Sequence, residues 1–106
     1  MAALDWGNFL PLEGEIDLHC SSRVEQSLAS MIKKKPEQIV VDLSGVTFID
    51  SSAIAVLIRA MQNMKEYGGE LSLSGINEKV RPIFEISRLD QVFVINRDTG
   101  SYWVAD

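Results

Sequence analysis

Ile39-Val40-Val41-Asp42-Leu43 is the stretch that most limits what this chain can become. It is rich in β-branched residues and lacks polar alternation, the signature of a strand covered on both faces. Helices lying on a sheet cover a strand in this way, which points to an α/β domain. The sequence that follows agrees. Ser44-Gly45 reads as a turn, Val46-Thr47-Phe48-Ile49 as a further extended segment, and Asp50-Ser51-Ser52 as the opening of a helix. The apolar stripe of that helix is Ile54, Leu57, Ile58 and Met61, with Ala53, Val56 and Ala60 filling around it. Gly68-Gly69 ends it.

The same alternation runs through the rest of the chain. Leu12 to Asp17 reads as a strand running into a turn; Phe9 and Leu10 fit a strand, and Pro11 restricts it to an edge or a strand end. A helix is predicted from Ser21 or Ser22 to Lys35, with Val24, Leu28, Met31 and Ile32 on one side and Pro36 as its stop. Glu70 to Ser74 alternates with period two, as a strand does. Asn77 caps a third predicted helix, with Val80, Ile83 and Phe84 inward and Pro82 confined to its first turns. Gln91 to Ile95 is the last predicted strand, and residues 97–106 form a tail holding Tyr102 and Trp103. The expected core comprises Leu28, Ile32, Val41, Ile54, Leu57, Ile58, Phe84 and Val94.

A chain of 106 residues has room for one domain, here residues 1–106 with a weakly ordered start over 1–9. The net charge of -5 argues against nucleic acid or an anionic membrane as the main partner, since both call for a basic face. One cysteine, Cys20, forms no internal disulfide and suits a reducing cytoplasm. No basic segment followed by an apolar run opens the chain, so no signal peptide is expected. The longest apolar candidate, Ala53 to Met64, is broken by Arg59 and Gln62 and falls short of the roughly 20 residues a bilayer needs.

The local chemistry concentrates at Asp50-Ser51-Ser52. A helix start offers unpaired N–H groups and a partial positive charge, so a phosphate on a serine there would be held. The same spacing fits Asp50 or Ser51 as a plain N-cap. Asp42 to Ser52 resembles the central motif of STAS domains, named for sulphate transporters and anti-sigma-factor antagonists. Leu12-Glu13-Gly14-Glu15-Ile16-Asp17, Tyr67 to Leu71 and Val80 to Phe93 match the family in order and spacing, so the resemblance spans about residues 10–96. It implies a single domain with a central mixed β-sheet and helices packed mainly on one face. For the anti-anti-sigma branch it implies that Ser51 is phosphorylated by a serine kinase that is also the anti-sigma factor. A PP2C-type phosphatase would reverse the modification. It further implies a partner-binding surface of Glu15, Asp17, Asp50, Ser51, Ser52 and Ala53. The alternative is a STAS interaction subunit of a lipid-transport or stress-signalling assembly, without phosphorylation. A homodimer is open under both.

The sequence departs from the family at named points. Ala53 stands where glycine is usual, altering a close partner approach, and Ser87-Arg88-Leu89 replaces a more usual Thr-Gly-Leu. The resemblance also implies a shortened first strand and a final helix reduced to residues 97–106. Glu15 and Asp17 fall on one side of a strand, as an acid pair or as solvated rim residues. His19 lacks a second ligand at metal spacing, and Cys20 has no neighbouring base and reads as a small apolar filler. Without a nucleophile–base pair, a phosphate-binding glycine loop or a metal cluster, the expectation is a non-enzyme that needs no cofactor and no metal.

Overall fold

The computed structural model describes residues 8–86, 88 and 93–96. Strands and helices alternate as β1 (Phe9–Ile16), α1 (Leu18–Ile32), β2 (Gln38–Ile49), α2 (Ser51–Lys65), β3 (Glu70–Ser74), α3 (Arg81–Ile86) and β4 (Val94–Asn96). The sheet order is β1-β2-β3-β4, and each neighbouring pair is parallel. The expected mixed sheet is therefore all parallel among the described strands. The reason is the connections: a helical crossover brings the chain back parallel, whereas an antiparallel neighbour can follow through a hairpin. Because such crossovers are right-handed and the strand order always steps the same way, they stack their helices on one face. Accordingly α1 and α2 pack side by side, with Arg59 Nη1 of α2 donating to Glu25 Oε2 of α1 at 2.7 Å.

β2 is longer than expected and carries the core between the layers. Ser44 and Gly45 do not turn the chain; they lie within a continuous strand. Against the seven steps of β1 from Phe9 to Ile16, β2 takes nine from Val40 to Ile49, with register shifts at Pro11/Glu13 and Gly14/Glu15. Each shift is a bulge that inserts one residue into β2. The buried positions show the consequence: Ile39, Val41 and Leu43 are two apart, whereas Leu43, Val46 and Ile49 are three apart. Gly14, at the second shift, has φ of +78°, a conformation that only glycine adopts freely.

The helices begin and turn differently from the sequence reading. α1 starts at Leu18, not at Ser21, because Asp17 caps it: the Asp17 carboxylate accepts from His19 N at 3.0 Å. It ends at Ile32, and Lys35 takes φ of +51° before Pro36. In α2 the buried stripe is Ala53, Val56, Leu57, Ala60, Met61 and Met64, rotated by one position from the predicted one. Ile54 and Ile58 sit on its flank, half-buried, as does Ile32 on α1. The small Ala53 and Ala60 face inward because they let α2 approach closely; the larger Ile54 and Ile58 cover the edge. Leu28, Val41, Leu57 and Phe84 are buried as expected. Phe84 meets Phe93 edge-on, with ring centroids 6.4 Å apart. α3 occupies Arg81–Ile86, and Asn77 caps the turn that leads into it. β4 begins at Val94, three residues later than expected. The Val94 side chain, residues 1–7, 87, 89–92 and 97–106, and with them Tyr102 and Trp103, lie outside the described residues.

The α2 phase is testable by truncation. Leu57→Ala should lower stability by about 2–5 kcal/mol, the cost of a cavity in a packed core. Ile58→Ala should cost less, since its side chain is only partly buried. Urea unfolding of both variants checks this, and equal losses would contradict the observed helix phase.

Candidate functional site

The first two crossovers place two helix starts side by side. Ile16, the last residue of β1, pairs with Ile49, the last of β2. One residue later each strand releases an aspartate, Asp17 and Asp50, that caps the next helix. Asp17 is thus a cap and not the partner of Glu15 in an acid pair on one strand; Glu15 is exposed in β1 opposite Phe48. Among the described strands the sheet order does not reverse, so the sheet has no switch point at these strand ends. What the fold presents there is a surface. A cavity of about 430 Å³, lined in part by Phe9, Leu10, Met31 and Lys34, lies at the other end of β1.

Asp50 organises this surface. Its Oδ1 accepts from Ser52 N at 3.0 Å, Ala53 N at 3.1 Å and the Ser52 hydroxyl at 2.7 Å. Ile54 N donates to the Asp50 carbonyl at 3.1 Å, and Asp50 N donates back to Ile16 O at 3.3 Å. The Ser52 hydroxyl holds the Asp50 carboxyl below its ordinary value of 3.8; burial works against it, and the Ala53, Ser52 and Leu18 amides add to the lowering. Ser51 is the first residue of α2 and is exposed, whereas Ser52 is half-buried with its hydroxyl turned onto Asp50. Ala53 is only 2% exposed and belongs to the buried stripe. Its methyl group therefore faces the core, and its place in the expected partner-binding set is not supported by its position. Ser51, Asp50 and Asp17 come together at the strand ends, with Glu15 at the adjoining edge of β1.

Four residues have roles in this region that spacing does not show. Leu18 is 69% exposed at the start of α1, and Phe48 is 46% exposed two residues before Asp50. Both look like core residues by type; only the cap at Asp17 and the second bulge of β2 turn them outward. Asn77 donates its side-chain amide to Leu43 O, Ser44 O and Val46 O at 3.2, 3.2 and 2.9 Å, fixing the bulged part of β2. Gly75, with φ of +68°, allows a close approach: a Cβ there would lie 2.6 Å from Asp42 Oδ1. Asp42 in turn accepts from Ser44 N and the Ser44 hydroxyl, each at 3.1 Å. His19 is exposed beside Asp17, and Cys20 is partly buried in α1. Among the described residues, no cluster of three or more His, Cys, Asp and Glu side chains is suited to a metal ion, and no helix is long and apolar enough to cross a membrane.

The profile of the STAS domain matches residues 7–101, nearly the whole chain. The chain belongs to the STAS domain family. Within reach of it by sequence is the anti-sigma-B factor antagonist of Listeria monocytogenes, 28% identical over 87 residues, which are 82% of this chain and 76% of that protein. By structure, an anti-sigma factor antagonist from Mycobacterium paratuberculosis aligns with a TM-score of 0.77 at 22% identity, over 86% of this chain and 77% of that one. The phosphorylated form of the Bacillus cell fate determinant SpoIIAA aligns with a TM-score of 0.65 at 20% identity, over 85% and 82%. These identities make the structural likeness one of fold, and the STAS fold is the one described above.

The Asp50 cap has a pH signature. A carboxyl with a native value below its unfolded one stabilises the fold above the unfolded value and loses that effect as pH falls through the native value. Asp50→Asn keeps a side-chain oxygen for capping but does not titrate. Wild type should therefore resist urea better than Asp50→Asn at neutral pH, and the gap should close as pH falls below 3.8. Urea midpoints across a pH series check this; a gap that widens in acid would contradict the charged cap.

Proposed function

We propose that this STAS domain is an anti-sigma factor antagonist, a regulatory binding module and not an enzyme, whose affinity for its partner is set by phosphorylation of Ser51. The observation that carries the reading is the exposed Ser51 at the first position of α2, beside the half-buried Asp50 carboxylate. The relatives named anti-sigma factor antagonists supply the partner class. That partner is an anti-sigma factor with serine kinase activity, and the setting is the cytoplasm. In the kinase, the Ser51 oxygen attacks the terminal phosphorus of a nucleoside triphosphate. The new Oγ–P bond replaces the bond to the diphosphate leaving group, and the hydroxyl proton passes to a base of the kinase. A PP2C-type phosphatase hydrolyses the ester and restores the serine.

The physics of the switch lies at the surface. A phosphate adds nearly two negative charges next to Asp50 and Asp17. The unmodified surface offers the apolar Leu18 and Phe48 to a partner. After modification the partner has to desolvate or oppose a dianion at the same contact, which weakens binding. The helix itself tolerates the anion, because its N–H groups and dipole favour negative charge there.

Ser51→Ala should keep partner binding and lose labelling. Ser51→Asp should weaken binding by at least about tenfold, or roughly 1.4 kcal/mol. Incubation with the cognate kinase and ATP, peptide mapping by mass spectrometry and titration calorimetry test this. No labelling, together with unchanged affinity for Ser51→Asp, would overturn the switch in favour of a STAS interaction subunit that works without phosphorylation.

A further inference from the structure

We propose that Asp50 selects between the two adjacent serines, withdrawing the Ser52 hydroxyl from phosphoryl transfer so that only Ser51 can react. This rests on the reading of Ser51 as a phosphoryl acceptor and assigns a cause to its selectivity. The two serines are the same chemical group one residue apart, and helix spacing turns their side chains about 100° from each other. The structure adds a difference in bonding. The Ser52 hydroxyl donates to Asp50 Oδ1 at 2.7 Å, and its side chain is half-buried. The Ser51 side chain is exposed, and among the described residues its hydroxyl has no partner.

A hydroxyl that donates to a carboxylate can be read in two ways: as a nucleophile activated by a base, or as a group locked into structure. Two observations favour the second. Asp50 Oδ1 already accepts two backbone N–H groups, from Ser52 and Ala53, so its lone pairs are committed to the helix start. A carboxylate stabilised by these donors is a weak base. A phosphate on Ser52 would also place a dianion directly against the Asp50 carboxylate, and like charges in contact repel. Ser51 meets neither obstacle. Its oxygen faces solvent, and its own backbone N–H, unpaired among the described residues, is a donor for the new phosphate. Asp50 is thus a positioning residue that acts through Ser52.

The test maps phosphate by mass spectrometry after incubation with the cognate kinase and ATP. Wild type should carry it on Ser51 alone, and Ser51→Ala should carry none. The double variant Asp50→Ala, Ser51→Ala should carry it on Ser52, because the hydroxyl is released and the neighbouring charge is gone. Asp50→Asn, Ser51→Ala should stay largely unlabelled, since the amide oxygen still accepts from Ser52; this conservative variant separates engagement of the hydroxyl from mere loss of the cap. A second readout needs no kinase: the Ser52 hydroxyl proton should exchange slowly enough to be seen by NMR in wild type and be lost in Asp50→Ala. Labelling of Ser52 in Ser51→Ala alone would overturn the proposal and leave Ser51 as an acceptor. A natively folded Asp50→Ala, Ser51→Ala variant without label would overturn it too. A wild-type chain left unlabelled would overturn the acceptor reading and this proposal with it.

Discussion

The bulged course of β2 is the constraint on which the rest of the structure depends. A regular strand presents every second side chain to the helices. β2 does so from Ile39 to Leu43 and then changes to every third, through Val46 to Ile49. The two extra residues are absorbed against β1, so that Ile16 and Ile49 finish level. Only because they finish level do the caps of α1 and α2 lie next to each other. Without the bulges, β2 would overshoot β1 by two residues, and Asp50 would stand clear of the start of α1. Asn77 and Gly75 belong to the same device. The first ties three carbonyls of the bulged stretch, and the second makes room for Asp42 and Ser44.

Among the described strands the sheet adds strands in one direction and has no switch point, the feature at which ligand-binding α/β folds open their crevice. Its helix starts form a surface, and a surface suits a protein partner better than a small molecule. Charge is placed accordingly. Asp17 and Asp50 each spend a carboxylate on capping a helix, and the exposed apolar groups there are Leu18 and Phe48.

Much of this was legible in the sequence, and the exceptions have physical causes. The buried strand around Val41, the helix after Asp50 and the exposed Ser51 follow from β-branched runs, stripes and capping residues, all of them local signals. The start of α1 was misplaced because Asp17 and Ser21 are both good caps, and the choice is made by where β1 ends. The α2 stripe was taken one position off because Ile54 and Ile58 outweigh Ala53 and Ala60 in hydrophobicity. The packing rewards the small side chains instead, since they allow the helix to approach the sheet. The bulges were invisible because Ser44-Gly45 has the chemistry of a turn; the bonds from Asn77, more than thirty residues later, hold it extended. Helix geometry alone turns Ser52 about 100° away from Ser51; the 2.7 Å bond that engages its hydroxyl with Asp50 is a matter of side-chain conformation, which spacing does not carry.

Under the proposed switch the same carboxylate would serve fold and signalling, and the two uses are compatible because they fall on different sides of one residue. Toward the core, Asp50 satisfies Ser52 and Ala53 N–H groups that would otherwise be orphaned at a helix start. Toward solvent, its charge lies beside a serine whose backbone N–H is unused among the described residues. A phosphate at Ser51 would add charge to the outer side without competing for the donors of the inner side. That division would let the proposed modification change what the surface repels while the helix beneath it remains capped. If Ser51 N–H were already bonded, or if the acceptor were Ser52, the phosphate would have to displace Asp50, and the switch would act on the stability of α2 as well as on its partner.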